Sequence, residues 1–238
     1  MLENYIGKII NADCMDILKQ LPDKSIDLVV TSPPYNLGNV HHTGNKHFKA
    51  YKTHNDDMPE EEYQQWQVDL LNEIFRVLKE KGSCFYNHKN RIKDGLQISP
   101  YEWLLKTKLT IKQELVWFNR SQNFDKCRFY PMTERIYWLS KGKETEFNNN
   151  INHHDLFEWK SEGTDKTFKR AFPVKMVEDI ISCFPENCLV LEPFSGSGTT
   201  AIACHRLKRR FICIEKDPEY WAKSCERLKA VQAQGQLF

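Results

Sequence analysis

The sequence predicts an α/β fold, a mostly parallel sheet with helices on both faces. Two observations carry this. β-rich runs alternate with helical patterns along the chain, and two buried strand patterns end in special turns, one in paired prolines and one in a glycine loop. The length of 238 residues suits one such domain with a modest insertion.

Taken in order, Ile6 to Ile10 reads as a strand and Cys14 to Leu21 as a short helix. Ile26-Asp-Leu-Val-Val-Thr31 is a buried strand cut off at Pro33 and Pro34. A His-, Lys-, Asn- and Gly-rich loop follows to about Asp57. From Pro59 to about Lys79 a helix is expected, because proline and Glu60, Glu61 and Glu62 suit its positive N-terminus. Tyr63, Trp66, Leu70, Ile74 and Leu78 recur at three- and four-residue steps and mark its buried face. Gly82 is expected to stop it. Strands follow at Ser83 to Tyr86, Leu115 to Phe118 and Arg135 to Leu139. From Ser140 to Arg170 the pattern dissolves into a polar stretch. Order returns between Pro173 and Ala230 as helix, strand, glycine loop, helix, strand and helix. The expected organisation is one domain over residues 1–238 with an insertion at about 141–170.

Composition excludes several classes. A hydrophobic share of 40% and a charged share of 28% belong to a globular chain. No apolar run has the length to span a bilayer, and the first residues lack a signal-peptide pattern, so a cytoplasmic location is expected. The eight cysteines are scattered without paired spacing and read as reduced core residues rather than disulfides or zinc ligands. A net charge of +2 gives no global argument for nucleic acid, so a binding surface must come from local clustering.

Two motifs carry chemistry. The first is Thr31-Ser-Pro-Pro-Tyr35. An amino group on a heteroaromatic base is a poor nucleophile, because its lone pair is delocalised into the ring. Acceptors beside its protons draw the nitrogen toward tetrahedral geometry. The Ser32 hydroxyl and the Pro33 carbonyl are such acceptors, Pro34 stiffens the turn, and Tyr35 can stack on a base taken out of the duplex. The second motif is Leu189-Val-Leu-Glu-Pro-Phe-Ser-Gly-Ser-Gly-Thr199. Gly196 and Gly198 permit a tight turn and a close approach of ligand to backbone. The Phe211-Ile-Cys-Ile-Glu215 strand ends in an acid about 20 residues later, the spacing at which a carboxylate meets ribose hydroxyls. Ala201 stands where a dinucleotide fingerprint has its third glycine, which fits an adenosine ligand without a pyrophosphate.

Together these residues resemble the amino-group DNA methyltransferases that modify cytosine N4 or adenine N6. The marks of that family are a (Ser/Asp/Asn)-Pro-Pro-(Tyr/Phe) tetrapeptide and a Phe-x-Gly-x-Gly loop. The order, tetrapeptide first, resembles the circularly permuted β-type. The resemblance implies a Rossmann-like S-adenosylmethionine-dependent methyltransferase fold. It implies Ser32, Pro33, Pro34 and Tyr35 as catalytic residues. It implies Asp13, Thr31, Lys175, Glu192, Pro193, Phe194, Ser195, Gly196, Ser197, Gly198, Thr199 and Glu215 as the cofactor site. Asp13 would meet adenine, Glu192 the methionine ammonium and Glu215 the ribose. Lys175 lies in Ala171-Phe-Pro-Val-Lys175, which departs from the family's His-Pro-x-x-Lys-Pro. S-adenosyl-L-methionine is the expected cofactor, with no metal. His41, His42, His47 and His54 match no metal-site spacing and read as a loop closing over target strand or cofactor.

The Thr-Ser-Pro-Pro-Tyr form resembles the cytosine-N4 version, with adenine N6 as the alternative. Double-stranded DNA is the expected partner. Sequence reading is assigned to the 141–170 insertion through Lys141, Lys143, Lys160, Lys166, Lys169 and Arg170, with contacts added by Asn119 to Asn123, Lys126 and Arg128. A homodimer and a cognate restriction endonuclease are left open, in a bacterium or a phage. Three rivals remain: an RNA methyltransferase, a catalytically silent DNA-binding subunit, and a dehydrogenase, which would leave Ser32 to Tyr35 unexplained.

Overall fold

In the computed structural model, residues 2–37, 56–120, 127–160 and 171–234 are described. After a short 3-10 turn at Leu2–Asn4 come β1 (Lys8–Asn11), α1 (Cys14–Leu18), β2 (Ile26–Thr31), α2 (Glu60–Val77) and β3 (Leu78–His88). Next are β4 (Arg91–Lys93), β5 (Leu96–Ile98), α3 (Tyr101–Leu104), β6 (Thr110–Phe118), β7 (Thr133–Ser140) and β8 (Leu156–Phe157). The chain closes with α4 (Val174–Ser182), β9 (Leu189–Glu192), α5 (Thr199–Arg206), β10 (Arg210–Glu215) and α6 (Pro218–Gln234).

One sheet runs in the order β1-β10-β9-β2-β3-β7-β6-β8. The first five strands are parallel, β7 is antiparallel to both β3 and β6, and β8 pairs parallel with β6. β2 lies between β9 and β3, so all six of its residues are buried and its sequence is nearly continuously apolar. Its one carboxylate, Asp27, accepts the Leu189 amide at 2.9 Å and the Lys79 ammonium at 2.6 Å. Alternate residues feed two cores. Leu28, Val30, Phe85 and Cys213 pack with residues of α4, α5 and α6, while Val29, Cys84, Tyr86 and Ile214 pack with α1, α2 and α3. From β9 the chain order moves outward both ways, to β10 and to β2, which is the switch point where ligand sites form in such sheets.

Several expectations need correction. Gly82 lies inside β3 and does not stop α2, which ends at Val77 and passes directly into the strand. A Cβ at Gly82 would come within 2.9 Å of Leu78 Cδ2 and 3.0 Å of the Lys79 carbonyl, so close packing explains the glycine. α1 is shorter than expected, and Asp13 caps it by accepting the Met15 amide at 2.9 Å. The β4–β5 hairpin turns through Asp94 and Gly95, both at positive φ, an Asp-Gly signal that was present in the sequence. The 141–170 stretch is not wholly irregular, since β8 joins the sheet edge and buries Phe157.

The cysteines Cys14, Cys84, Cys183, Cys188, Cys204 and Cys213 are buried, Cys225 is half-buried and Cys127 exposed. Burial pushes the Cys183 and Cys188 thiols up to about 11, which keeps them protonated. Among the described residues, no helix is long and apolar enough to cross a membrane.

Candidate methyl-transfer site

The two motifs meet at the carboxyl edge of adjacent strands. Thr31 ends β2, Glu192 ends β9, and the Thr31 hydroxyl donates to Glu192 Oε1 at 2.7 Å across 161 residues of sequence. The same Oε1 accepts the Phe194 amide at 3.0 Å, and Oε2 accepts the Thr200 hydroxyl at 3.1 Å. Glu192 is 3% exposed. Burial raises its carboxyl to about 8 despite these three donors, each of which favours the ionised form.

Beyond Glu192 the chain enters the glycine loop. Pro193 follows the strand, and the Phe194 ring packs edge-on to Trp66 of α2 at 5.8 Å. The Ser195 amide donates to the Ile214 carbonyl at 2.7 Å. Gly196 and Gly198 both hold positive φ, at 50° and 76°. They differ in surroundings: a Cβ on Gly198 would sit 3.1 Å from Ser224 Cβ, while one on Gly196 would meet only the Phe194 carbonyl at 3.9 Å. Gly198 is therefore needed for packing and Gly196 faces space. Arg227 of α6 donates to the Ser197 carbonyl at 3.0 Å, and the Ser197 and Thr199 hydroxyls are 3.0 Å apart.

Glu215 closes the cradle. Its Oε2 accepts the Gly196 amide at 2.7 Å and its Oε1 the Asp217 amide at 2.8 Å. Burial raises this carboxyl above the usual range. Asp13 stands beside it, because Asn11 pairs with Glu215 across β1 and β10 and the Lys216 ammonium lies 3.0 Å from Asp13 Oδ2. Lys175 is placed differently from expectation. The Phe172 carbonyl accepts from Thr199 at 3.4 Å, which sets that segment against the loop, but the half-exposed Lys175 ammonium pairs with Asp179 at 2.7 Å.

At the tetrapeptide, Glu134, Asn87 and His88, which the sequence did not single out, converge on Tyr35. Its hydroxyl donates to Glu134 Oε2 of β7 at 3.0 Å and accepts from Asn87 Nδ2 of β3. Asn87 Nδ2 also donates to Glu134 Oε2 at 2.8 Å, and Asn119 Nδ2 to Glu134 Oε1 at 3.1 Å. The Ser32 hydroxyl is 2.8 Å from the Tyr35 hydroxyl. Burial and the Glu134 charge push the Tyr35 phenol well above its ordinary range, so it keeps its proton. Its ring packs on His88 at 4.5 Å, tilted by 42°. The only signal for Glu134 and Asn87 is strand pairing, which sets Asn87 opposite Ile136 and His88 opposite Arg135.

The hydrogens of this cluster can be assigned. An ionised carboxylate only accepts, so the single Tyr35 hydrogen goes to Glu134, and an amide nitrogen only donates, so Asn87 gives to Tyr35. Tyr35 then has no hydrogen left for Ser32. Ser32 must donate to Tyr35, and its oxygen, which Asn87 Nδ2 approaches at 3.5 Å, keeps a lone pair as an acceptor.

The lysines expected to read DNA divide. Lys141 donates to the Leu78 carbonyl at 2.9 Å and lies 4.8 Å over the Phe75 ring, at the start of β3 and so at the sheet edge away from Tyr35. Lys143 follows it there, its carbonyl accepting from Lys112 at 2.6 Å. Both therefore lie at the end of the sheet opposite the tetrapeptide. Lys160 is exposed. Lys166, Lys169, Arg170, Lys126, residues 121–123 and the four loop histidines lie outside the described residues. Among the described residues, no group of three or more His, Cys, Asp or Glu side chains could hold a metal.

Comparison with known proteins agrees with this architecture. The type II methyltransferase M.BglII of Bacillus subtilis is 28% identical over 92% of this chain and 68% of its own length. M.HinfI of Haemophilus influenzae, also a type II methyltransferase, is 26% identical over 97% of this chain and 70% of its own. Among solved structures, the cytosine-N4-specific PvuII DNA methyltransferase has a TM-score of 0.74 at 21% identity, covering 92% of this chain and 89% of that one. M1.HpyAVI, solved as a complex with S-adenosylmethionine, has a TM-score of 0.63 at 24% identity over 93% and 98% of the two chains. These likenesses show the fold. The sequence model of the N6/N4 methyltransferases, described as DNA methylase, matches residues 26–226, and the chain belongs to that family.

Proposed function

We propose that the chain moves a methyl group from S-adenosylmethionine to the exocyclic amino nitrogen of a base flipped from duplex DNA, with cytosine N4 as the target. The observation that carries this reading is the hydrogen assignment at Ser32. An oxygen whose own hydrogen is committed to Tyr35 can only accept, which is what an amino group needs if its lone pair is to be freed for attack. The Pro33 carbonyl is the second acceptor. After transfer the nitrogen must lose a proton, and Ser32 and Tyr35 lead from it to the Glu134 carboxylate.

The residues at the glycine loop fit the cofactor. Gly196 leaves open space above a backbone that L side chains rarely adopt. Glu215 spends one acceptor position of each oxygen on backbone amides, leaving others for ribose hydroxyls. Glu192 supplies a carboxylate for an ammonium. When bound, the cofactor supplies a methyl on a sulfonium with a neutral thioether as leaving group, so the protein's work is positioning.

Serine at the head of the tetrapeptide favours cytosine N4 by resemblance, and adenine N6 is the second reading. We assign DNA contact to Lys160 with Lys166, Lys169 and Arg170, within a single catalytic unit acting in the bacterial cytoplasm. The test is turnover in Ser32→Ala and Tyr35→Ala. Both should lose methyl transfer while still folding, and full activity in both would overturn the reading.

A further inference from the structure

Behind the tetrapeptide lies a second set of hydrogen bonds, made wholly by residues with no exposure: Trp103, Tyr86, Gln67, Tyr63 and His88. No water competes for these groups, so each donor and acceptor must be matched within the protein. The direction of the chain follows from its first member. An indole N–H can only donate, and Trp103 Nε1 donates to the Tyr86 hydroxyl at 3.2 Å. Tyr86 passes its own hydrogen to Gln67 Oε1 at 2.9 Å. That fixes the Gln67 amide, so its Nε2 donates to the Tyr63 hydroxyl at 2.7 Å. Tyr63, having accepted, has one hydrogen to give, and the Pro34 carbonyl lies in line for it at 2.7 Å.

His88 faces the same hydroxyl. Its Nδ1 is 2.7 Å from the Lys89 carbonyl, which requires a hydrogen on Nδ1, and burial holds the ring neutral with its ordinary value lowered to about 3. Its Nε2 is therefore bare and lies 2.8 Å from the Tyr63 hydroxyl, so the one Tyr63 hydrogen is shared between the Pro34 carbonyl and His88 Nε2. One hydroxyl thus reaches Pro34 directly and Tyr35 through the His88 ring packed on it. Arg91 covers the Tyr63 ring at 4.6 Å and is itself held by both oxygens of Glu60.

We propose that Tyr63 is a positioning residue for methyl transfer, the end of a one-way hydrogen-bond chain from Trp103 that fixes the Pro34 carbonyl and so the angle at which Ser32 and the Pro33 carbonyl meet the base. This rests on the reading that the Ser32–Tyr35 turn carries the transfer. Tyr63→Phe removes the hydroxyl and keeps the ring. Gln67→Glu tests direction: an ionised carboxylate at that position accepts from Tyr63 and draws its hydrogen away from Pro34, whereas the protonated acid donates as the amide does.

The experiment measures single-turnover methyl transfer to unmethylated phage DNA by the full chain, with cofactor affinity and melting temperature alongside. Leu70→Val, a buried change on the same helix outside the chain, controls for destabilisation. Tyr63→Phe is expected to slow transfer by about tenfold or more, the effect of one lost hydrogen bond to a positioned group, with cofactor affinity within about twofold. At saturating cofactor, Gln67→Glu is expected to lose rate relative to the parent protein at the same pH as pH rises through titration of the introduced carboxyl. A Tyr63→Phe rate that merely follows melting temperature as Leu70→Val does, or a Gln67→Glu profile that is flat relative to the parent protein, would overturn the positioning role. Ser32→Ala separates the two ideas. If it is inactive while Tyr63→Phe is normal, only this inference fails; if it is fully active, the catalytic reading fails with it.

Discussion

The hydroxyl of Thr31 donates to the carboxylate of Glu192 at 2.7 Å, tying the strand that presents the tetrapeptide to the strand that opens the glycine loop. Both residues are buried at the switch point of the sheet. The two motifs are therefore joined by one direct side-chain contact.

If Glu192 meets the cofactor's ammonium as proposed, binding is expected to depend on pH. Burial holds its carboxyl at about 8 in the free protein, well above its unfolded value, so it is largely protonated at neutral pH. An ammonium favours the ionised form, so binding below pH 8 must release a proton. Affinity for S-adenosylmethionine should rise between pH 6 and 7.5, by at most about tenfold per unit. The free fold responds with the opposite sign: a raised carboxyl costs stability as pH rises from the unfolded value toward 8. Calorimetric titration in buffers of different ionisation heat would show the proton release, and Glu192→Gln should abolish it. A flat affinity profile in the parent protein would contradict the assignment.

Thr31→Val removes the linking hydroxyl while keeping shape, and leaves Glu192 with one fewer donor. A loss of about 1 kcal/mol is expected, seen as a roughly fivefold weaker cofactor affinity. Fluorescence titration of the cofactor measures it.

Glu134 sets the direction of the hydrogens at Tyr35 and Ser32. In Glu134→Gln an amide N–H can donate to Tyr35, which frees Tyr35 to donate to Ser32 and takes the acceptor away from the base. Single-turnover transfer should fall by about tenfold or more, or about 1.4 kcal/mol, with cofactor affinity unchanged. An unaltered rate would show that the carboxylate is not needed.

The two loop glycines should separate in a thermal melt. Gly198→Ala adds a Cβ at 3.1 Å from Ser224 Cβ on a backbone at φ 76°. It should cost about 1–3 kcal/mol of stability. Gly196→Ala meets open space, so its larger effect should be on the gain in melting temperature that saturating cofactor provides.

Legibility in the sequence followed the range of the interactions. β2, the α2 face and the glycine loop with Glu215 were readable because each is a local pattern of burial or spacing. Asn87 and Glu134 were not, because only the antiparallel pairing of β3 with β7 brings them to Tyr35. Gln67 and His88 were missed because a buried polar residue bonded to a tyrosine looks, in sequence, like a surface one. Lys141 shows the reverse: its charge is plain in the sequence, but its donation to the Leu78 carbonyl is set by the fold. The Asp94-Gly95 turn was legible and went unused.

The most direct test of the central claim is nucleoside mass spectrometry on unmethylated DNA incubated with the protein and S-adenosylmethionine. The account predicts a methyl group on an exocyclic amino nitrogen, as N4-methylcytosine. N6-methyladenine would keep the chemistry and correct the base. Methylation at a ring carbon, or none across diverse DNA with the cofactor bound, would contradict the account.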